Sequence, residues 1–154
     1  YNLYKKEKYP FTILRLFLTY GPGQKKDRFI PEIIYKCLKN KKFPTGSGEQ
    51  VRDFCYIDDT VSAILLALSN NKARGETFNV ASGIPIKVKT IINLINKIVL
   101  SGEPEFNKLK ERDNQNKKLY ADIKKIKKIL KWKPKTNLEN GLKKTINFFK
   151  KNGK

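Results

Sequence analysis

Short apolar runs that alternate with helix-period stripes constrain this chain more than any other feature. The segment Pro10–Phe17 (PFTILRLF) is bounded by Pro10 and by the turn Gly21-Pro22-Gly23, and it reads as a strand buried on both faces. Pro31 suits the first turn of a helix whose apolar stripe is Ile33, Ile34, Cys37 and Leu38. A glycine-punctuated turn, Thr45–Gln50, leads into a second short strand through Phe54, Cys55, Tyr56 and Ile57. Asp58, Asp59 and Thr60 then offer cap-type side chains to a helix, Val61–Leu68, that is apolar nearly all round and is expected to be buried. Thr77–Val80 is a third strand, closed by Ser82-Gly83. Ile91, Ile92, Leu94, Ile95, Ile98 and Val99 have amphipathic helical spacing.

Two lysine-rich helices follow. One carries Ile123, Ile126, Ile129 and Leu130 behind Asp122 as its cap; the other carries Leu138, Leu142, Ile146 and Phe149 behind Asn137. Between Ser101 and Lys118 the pattern is polar, with a strand expected near Phe106. The alternation places the chain in the α/β class. Strands this short cannot form an ordinary self-contained sheet, so the expected architecture is part of a sheet whose other part lies elsewhere. With 154 residues and no methionine, even at position 1, the chain reads as an excerpt of something longer.

Composition excludes several chemistries. There is no histidine, which removes Ser-His-Asp and Cys-His catalysis and most zinc sites, and two cysteines cannot make a disulfide framework. Cys55 reads as inert core. No apolar run approaches the ~20 residues that span a bilayer, and nothing has the form of a signal peptide, so a soluble cytoplasmic protein is expected. The net charge of +20 would suit a nucleic-acid partner. Yet only Arg15, Arg28, Arg52, Arg74 and Arg112 are arginines, and lysine spread over polar helix faces reads as solvation.

Several blocks in register resemble the extended short-chain dehydrogenase/reductases, the NAD-dependent nucleotide-sugar epimerases and dehydratases. They are Leu14-Arg15-Leu16-Phe17 with Tyr20-Gly21-Pro22-Gly23-Gln24, Arg28-Phe29-Ile30-Pro31, and the run from Gly46 through Gln50-Val51-Arg52-Asp53-Phe54 to Asp59. Glu76–Gly83, Leu119-Tyr120-Ala121-Asp122 and Ile129–Pro134 continue the series. The resemblance covers about Pro10 to Phe149 and implies the C-terminal, substrate-binding part of such an enzyme. On it, residues 1–20 hold the last helix end and strand of a Rossmann part, and 21–56 a substrate-binding segment. Residues 57–100 return to the Rossmann part, and 101–154 form a second substrate-binding segment.

The family's glycine-rich dinucleotide turn is absent from this sequence, so NAD or NADP would be held mainly by another part of the enzyme. Tyr-x-x-x-Lys, the family's catalytic pair, occurs as Tyr1…Lys5, Tyr4…Lys8 and Tyr35…Lys39, and no catalytic residue is assigned from it. The resemblance implies a nucleotide-sugar substrate whose diphosphate is clamped by Arg52 and Arg112, since guanidinium forks match phosphate geometry. A salt bridge from Arg52 to Asp53 or Asp58 is the structural alternative. The base pocket falls on Ile30, Pro31, Phe43, Pro44, Thr45 and Gln50, although Ile30 and Phe43 are equally readable as core. Leu16 and Phe17 would line the nicotinamide side by van der Waals contact. Arg15 reads as a paired arginine within a buried strand. Leu18 stands where many members carry an asparagine that reaches the diphosphate. In such enzymes a nicotinamide takes a hydride from the sugar C4 while a lysine-assisted tyrosine takes the hydroxyl proton; the segment in hand would supply grip and orientation. A homodimeric parent enzyme is implied, with no membrane partner. A basic nucleic-acid module or an inactive remnant are the alternatives.

Overall fold

The computed structural model describes residues 6–7, 9–110 and 116–152. The chain divides into two compact units, each assembled from three separate segments. The first comprises residues up to Thr19, Asp53–Ile84 and Tyr120–Thr136. Strand β1 (Ile13–Leu16) leads to β2 (Leu18–Tyr20), whose last residue opens the second unit. β1 pairs in parallel with β6 (Thr77–Val80), Ile13 opposite Thr77 and Leu16 opposite Val80. β2 pairs with β5 (Phe54–Tyr56), which runs straight into helix α2 (Ile57–Ser69). A short 3-10 turn (Asn71–Ala73) connects α2 to β6, and helix α4 (Lys124–Leu130) closes the unit. Its core gathers Cys55, Ala63, Ala67, Phe78, Val80, Ile126, Leu130 and Trp132.

The second unit holds Tyr20–Arg52, Pro85–Leu119 and the segment from Asn137. Helices α1 (Phe29–Leu38), α3 (Val88–Val99) and α5 (Leu138–Asn152) pack on one another. Each presents the stripe its sequence spells: Ile30, Ile33, Ile34 and Cys37; Ile91, Ile92, Ile95 and Val99; Leu142, Ile146 and Phe149. Asn137 caps α5 as expected, its Oδ1 accepting from Asn140 N at 2.8 Å. β3 (Lys42–Pro44) runs parallel to β8 (Glu103–Glu105), just before Phe106. A three-stranded sheet has β4 (Val51–Arg52) at its centre, antiparallel to β7 (Ile86–Lys87) and parallel to β9 (Lys118–Leu119).

Four local expectations are corrected. β1 is not buried on both faces, since Ile13 and Leu16 are 41% and 51% exposed, and Arg15 is exposed as well. α2 is not covered all round: Val61, Leu65 and Leu68 form an i, i+4, i+7 stripe open to solvent. Ile57 belongs to that helix and not to the strand before it, so Asp58 and Asp59 lie in its first turn and do not cap it. Asp59 is buried and accepts instead from the backbone N–H groups of Lys135 (2.9 Å) and Thr136 (3.0 Å), fastening the segment after Trp132. Finally, α4 starts at Lys124 behind Ile123; Asp122 sits one residue early but still accepts from Lys124 N at 2.8 Å.

Candidate functional site

Within the second unit, five of the residues expected to grip a nucleotide, Phe43, Pro44, Thr45, Gln50 and Arg52, fall along one stretch of chain, from β3 to β4. Arg52 lies on the middle strand of the three-stranded sheet, with Ile86 on one side and Leu119 on the other. It is half-buried, and its Nη1 donates to the Val51 carbonyl oxygen at 2.8 Å. A guanidinium carries five N–H donors in a rigid fork, so this one bond orients the head group without exhausting it. Among the described residues no carboxylate stands within ion-pair distance of Arg52, so the salt-bridge alternative is not what the fold uses.

The turn preceding Arg52 is pinned to the start of α3. The carbonyls of Gly48 and Gln50 accept from Lys89 N (2.8 Å) and Val88 N (2.9 Å). Gly48 has φ +70° and a Cβ there would sit 2.8 Å from Lys89 Cβ, so only glycine fits both the torsion and the space. Glu49 is paired with Lys87 at 2.7 Å, and that ammonium holds its carboxyl below the usual glutamate range. Lys89, in turn, places its ammonium 5.0 Å from the centroid of Phe106. Sequence reading did not single out Lys89 or Phe106, because their proximity depends on β8 returning alongside β3.

Thr45 is buried and its polar atoms are engaged. Its N–H donates to Glu105 O at 2.9 Å, its hydroxyl donates to Gly46 O at 3.1 Å, and its carbonyl receives Lys108 N and Leu109 N. Ile30 and Phe43 are packed inside the unit at 2% and 3% exposure, and Pro31 is buried beside them. Lys36 lies 5.7 Å over the Phe43 ring. Gln50 is half-buried. The structure therefore brings Thr45, Gln50 and Arg52 onto one turn and strand, with Ile30 and Phe43 in the core of the same unit. Arg112 lies outside the described residues, as do Tyr1, Tyr4, Lys5 and Lys8. The third Tyr-x-x-x-Lys pair is described: Lys39 reaches over the Tyr35 ring at 4.4 Å, and its ammonium lowers the phenol's pKa. Residues four apart are neighbours on a helix, so this contact needs no catalytic role to explain it.

In the first unit, Leu16 is half-exposed and Phe17 packs against the core. Leu18, where a hydrogen-bonding residue would be expected, offers none, and it is 40% exposed. The unit's most heavily engaged polar group is one that sequence reading considered only as a salt-bridge partner. Asp53, fully buried, accepts from Ser82 N (2.8 Å), Ser82 Oγ (2.6 Å), Gly83 N (2.9 Å) and Ala121 N (3.4 Å). Cys55 is buried and its thiol is pushed up to about 11 by desolvation, as inert core should be. Among the described residues no cluster of side chains could hold a metal ion, and no helix is long and apolar enough to cross a membrane.

The chain and its fold have counterparts among known proteins. A family model described as GDP-mannose 4,6 dehydratase matches residues 1–145. The chain is 32% identical to dTDP-glucose 4,6-dehydratase 1 of Escherichia coli, over 88% of its own length and 39% of that protein. It is 34% identical to the UDP-glucuronate 4-epimerase of Thermodesulfobacterium geofontis, over 92% and 43%. Among solved structures, the UDP-glucose 4-epimerase of Thermotoga maritima with UDP-glucose superimposes with a TM-score of 0.91 at 30% identity, covering 99% of this chain and 50% of that one. The UDP-glucuronic acid 4-epimerase of Bacillus cereus, in complex with UDP-glucuronic acid and NAD, gives a TM-score of 0.86 at 32% identity, over 96% and 48%. The chain thus spans about four-tenths to half of the length of these proteins.

Proposed function

Because the chain belongs to the NAD-dependent nucleotide-sugar epimerase/dehydratase family, we propose that it supplies the substrate grip of such an enzyme, with Arg52 as the ligand of the nucleotide diphosphate. The observation that carries this reading is Arg52 itself: a half-buried guanidinium on a central strand, braced by one backbone bond and unpaired with any carboxylate among the described residues. A fork held this way loses little entropy when it meets a phosphate. Lys89 flanks the turn that precedes it and adds positive potential, whereas the charge of Lys87 is spent on Glu49. Arg112 is proposed as a second diphosphate ligand. Thr45 and Gln50, at the turn before Arg52, are proposed to line the nucleotide-base pocket, Thr45 by contact since its polar atoms are engaged, and Ile30 and Phe43 to form the apolar floor beneath it.

NAD or NADP would supply hydride transfer in the parent enzyme, as the solved relatives bound to NAD suggest. The residues of this chain do not amount to a dinucleotide site. The sequence holds no Gly-x-x-Gly-x-x-Gly turn to receive a pyrophosphate, and Leu16 and Phe17 offer apolar contact alone. On this reading the chain by itself turns over no sugar nucleotide, and the parent enzyme acts as a cytoplasmic homodimer.

Isothermal titration of the chain with UDP, CDP and dTDP tests the grip. Binding by at least one nucleoside diphosphate is expected, lost in Arg52→Ala and weakened about tenfold or more in Arg52→Lys, which keeps the charge but not the fork. Equal affinity in wild type and Arg52→Ala refutes the assignment.

A further inference from the structure

Tyr35, half-buried on α1, gathers lysines from three places in the chain. Lys39 donates a hydrogen bond to its hydroxyl and holds an ammonium 4.4 Å from the ring centroid. Lys26, in the turn before α1, brings a second ammonium to 5.2 Å from the same centroid. Lys41, beyond the helix, adds a third positive charge that acts on the phenol. The hydrogen bond from Lys39, and after it the charges of Lys39, Lys26 and Lys41, lower the phenol's pKa from its ordinary value. Helical spacing explains Lys39 alone, because Lys26 and Lys41 lie outside α1.

All three lysines are exposed, and among the described residues none pairs with a carboxylate. Glu32 is taken by Lys36 at 2.6 Å and Glu103 by Lys42 at 3.2 Å. A helix C-terminus attracts cations to its last turn, which suits Lys39 and Lys41, but Lys26 comes from the opposite, positive end. Like charges drawn to one phenol without a counter-charge repel one another, and an anion among them removes that cost.

We propose that Lys26, Tyr35, Lys39 and Lys41 form a site for a compact phosphate dianion, built from none of the residues assigned to the nucleotide. The occupant follows from the donor set. The ammonium groups are donors only, and the phenol oxygen already accepts from Lys39, so its O–H is left to point at an acceptor. Lysines meet a phosphate as point charges, and the phenol adds one directional bond. A polynucleotide would use the aromatic ring as a stacking platform, and this ring already carries two ammonium groups. The inference is independent of the role of Arg52.

The test is titration of the chain with inorganic phosphate at constant ionic strength, followed by NMR at the Tyr35 ring signals. A saturable shift is expected, with affinity weakened about twofold to threefold in Lys26→Gln and at least about fivefold in Lys39→Gln/Lys41→Gln. Lys26 lies outside the helix, so its substitution leaves α1 intact if the double variant does not. The Tyr35 response should persist in an Arg52→Ala chain that keeps its circular dichroism, which separates this site from the diphosphate ligand. Four results overturn the proposal: a drift that sodium chloride reproduces, unchanged affinity in Lys26→Gln and in the double variant, loss of the response in folded Arg52→Ala, and saturation by single-stranded oligothymidylate but not by phosphate.

Discussion

Asp53 gives the sharpest test of how the first unit is held together. Its carboxylate is fully buried and its bonds to Ser82 and Gly83 are short, at 2.8, 2.6 and 2.9 Å, with a longer one of 3.4 Å to Ala121 N. Replacing it by asparagine keeps one oxygen for Ser82 but turns an N–H2 group toward Gly83 N and Ala121 N, donor against donor. Hydrogen bonds to a charged acceptor contribute roughly 1.5–3 kcal/mol each, and an orphaned buried donor costs about 1–3 kcal/mol. The Ala121 bond is too long to add much, so Asp53→Asn should destabilise by about 2–3 kcal/mol. The comparison is Ser82→Ala, which removes the 2.6 Å hydroxyl bond and the exposed bond from Ile84 N to the hydroxyl but leaves the three backbone donors to Asp53 in place, for about 1–1.5 kcal/mol. The assay is urea unfolding followed by Trp132, the one tryptophan of the chain, which is buried in the same core. With a slope of about 2 kcal/mol per M, the midpoint should fall by about 1–1.5 M for Asp53→Asn and by about half that for Ser82→Ala. If Asp53→Asn costs no more than Ser82→Ala, the carboxylate is not the fastening point of the Ser82–Gly83 turn.

Other consequences are equally direct. Gly102 has φ +86° and a Cβ there would lie 2.7 Å from Cys37 Cα, which is backbone and cannot swing aside; Gly102→Ala should cost about 2–4 kcal/mol in the same unfolding assay. Cys37 and Cys55 are both buried and burial raises both thiols, Cys55 to about 11, so neither should react with iodoacetamide at pH 8 until urea exposes them. Because the folded pKa of Cys55 lies above its unfolded value, the native state is favoured below the unfolded pKa of about 9 and loses that advantage as pH rises toward 11, so the urea midpoint should fall over that interval and do so less in Cys55→Ala. Trp132 Nε1 donates to Ser62 Oγ at 2.9 Å; Trp132→Phe should lose this bond and some packing, about 1–2 kcal/mol measured by circular dichroism.

What the sequence made legible follows from which forces act locally. Thr77–Val80 is the strand its letters spell, and Asn137 is the cap its position suggests, because turn, cap and periodicity depend on neighbours in the chain. The readings that fail concern covering. A mostly apolar helix such as α2 and a mostly apolar strand such as β1 say that their faces prefer burial, but not what buries them. Leu65, Leu68 and Leu16 are exposed where their residue types call for contact, because an apolar pattern reports a preference for burial and not what covers it.

The candidate site divides in the same way. Arg52 could be named from its sequence neighbours, and its freedom from carboxylates could not, since that depends on Asp53 facing inward to Ser82, Gly83 and Ala121. An aspartate placed next to an arginine looks like its partner, but on a strand adjacent side chains point to opposite faces. Here the Asp53 carboxylate is spent on backbone N–H donors and the Ser82 hydroxyl, and among the described residues no carboxylate pairs with the Arg52 guanidinium. A diphosphate ligand needs this separation, because an arginine already neutralised by its neighbour has no positive charge to spare. The β4–β5 junction therefore sets side by side two residues of opposite charge: Asp53 fastens the fold, and Arg52, unpaired with a carboxylate among the described residues, suits the anion role proposed for it.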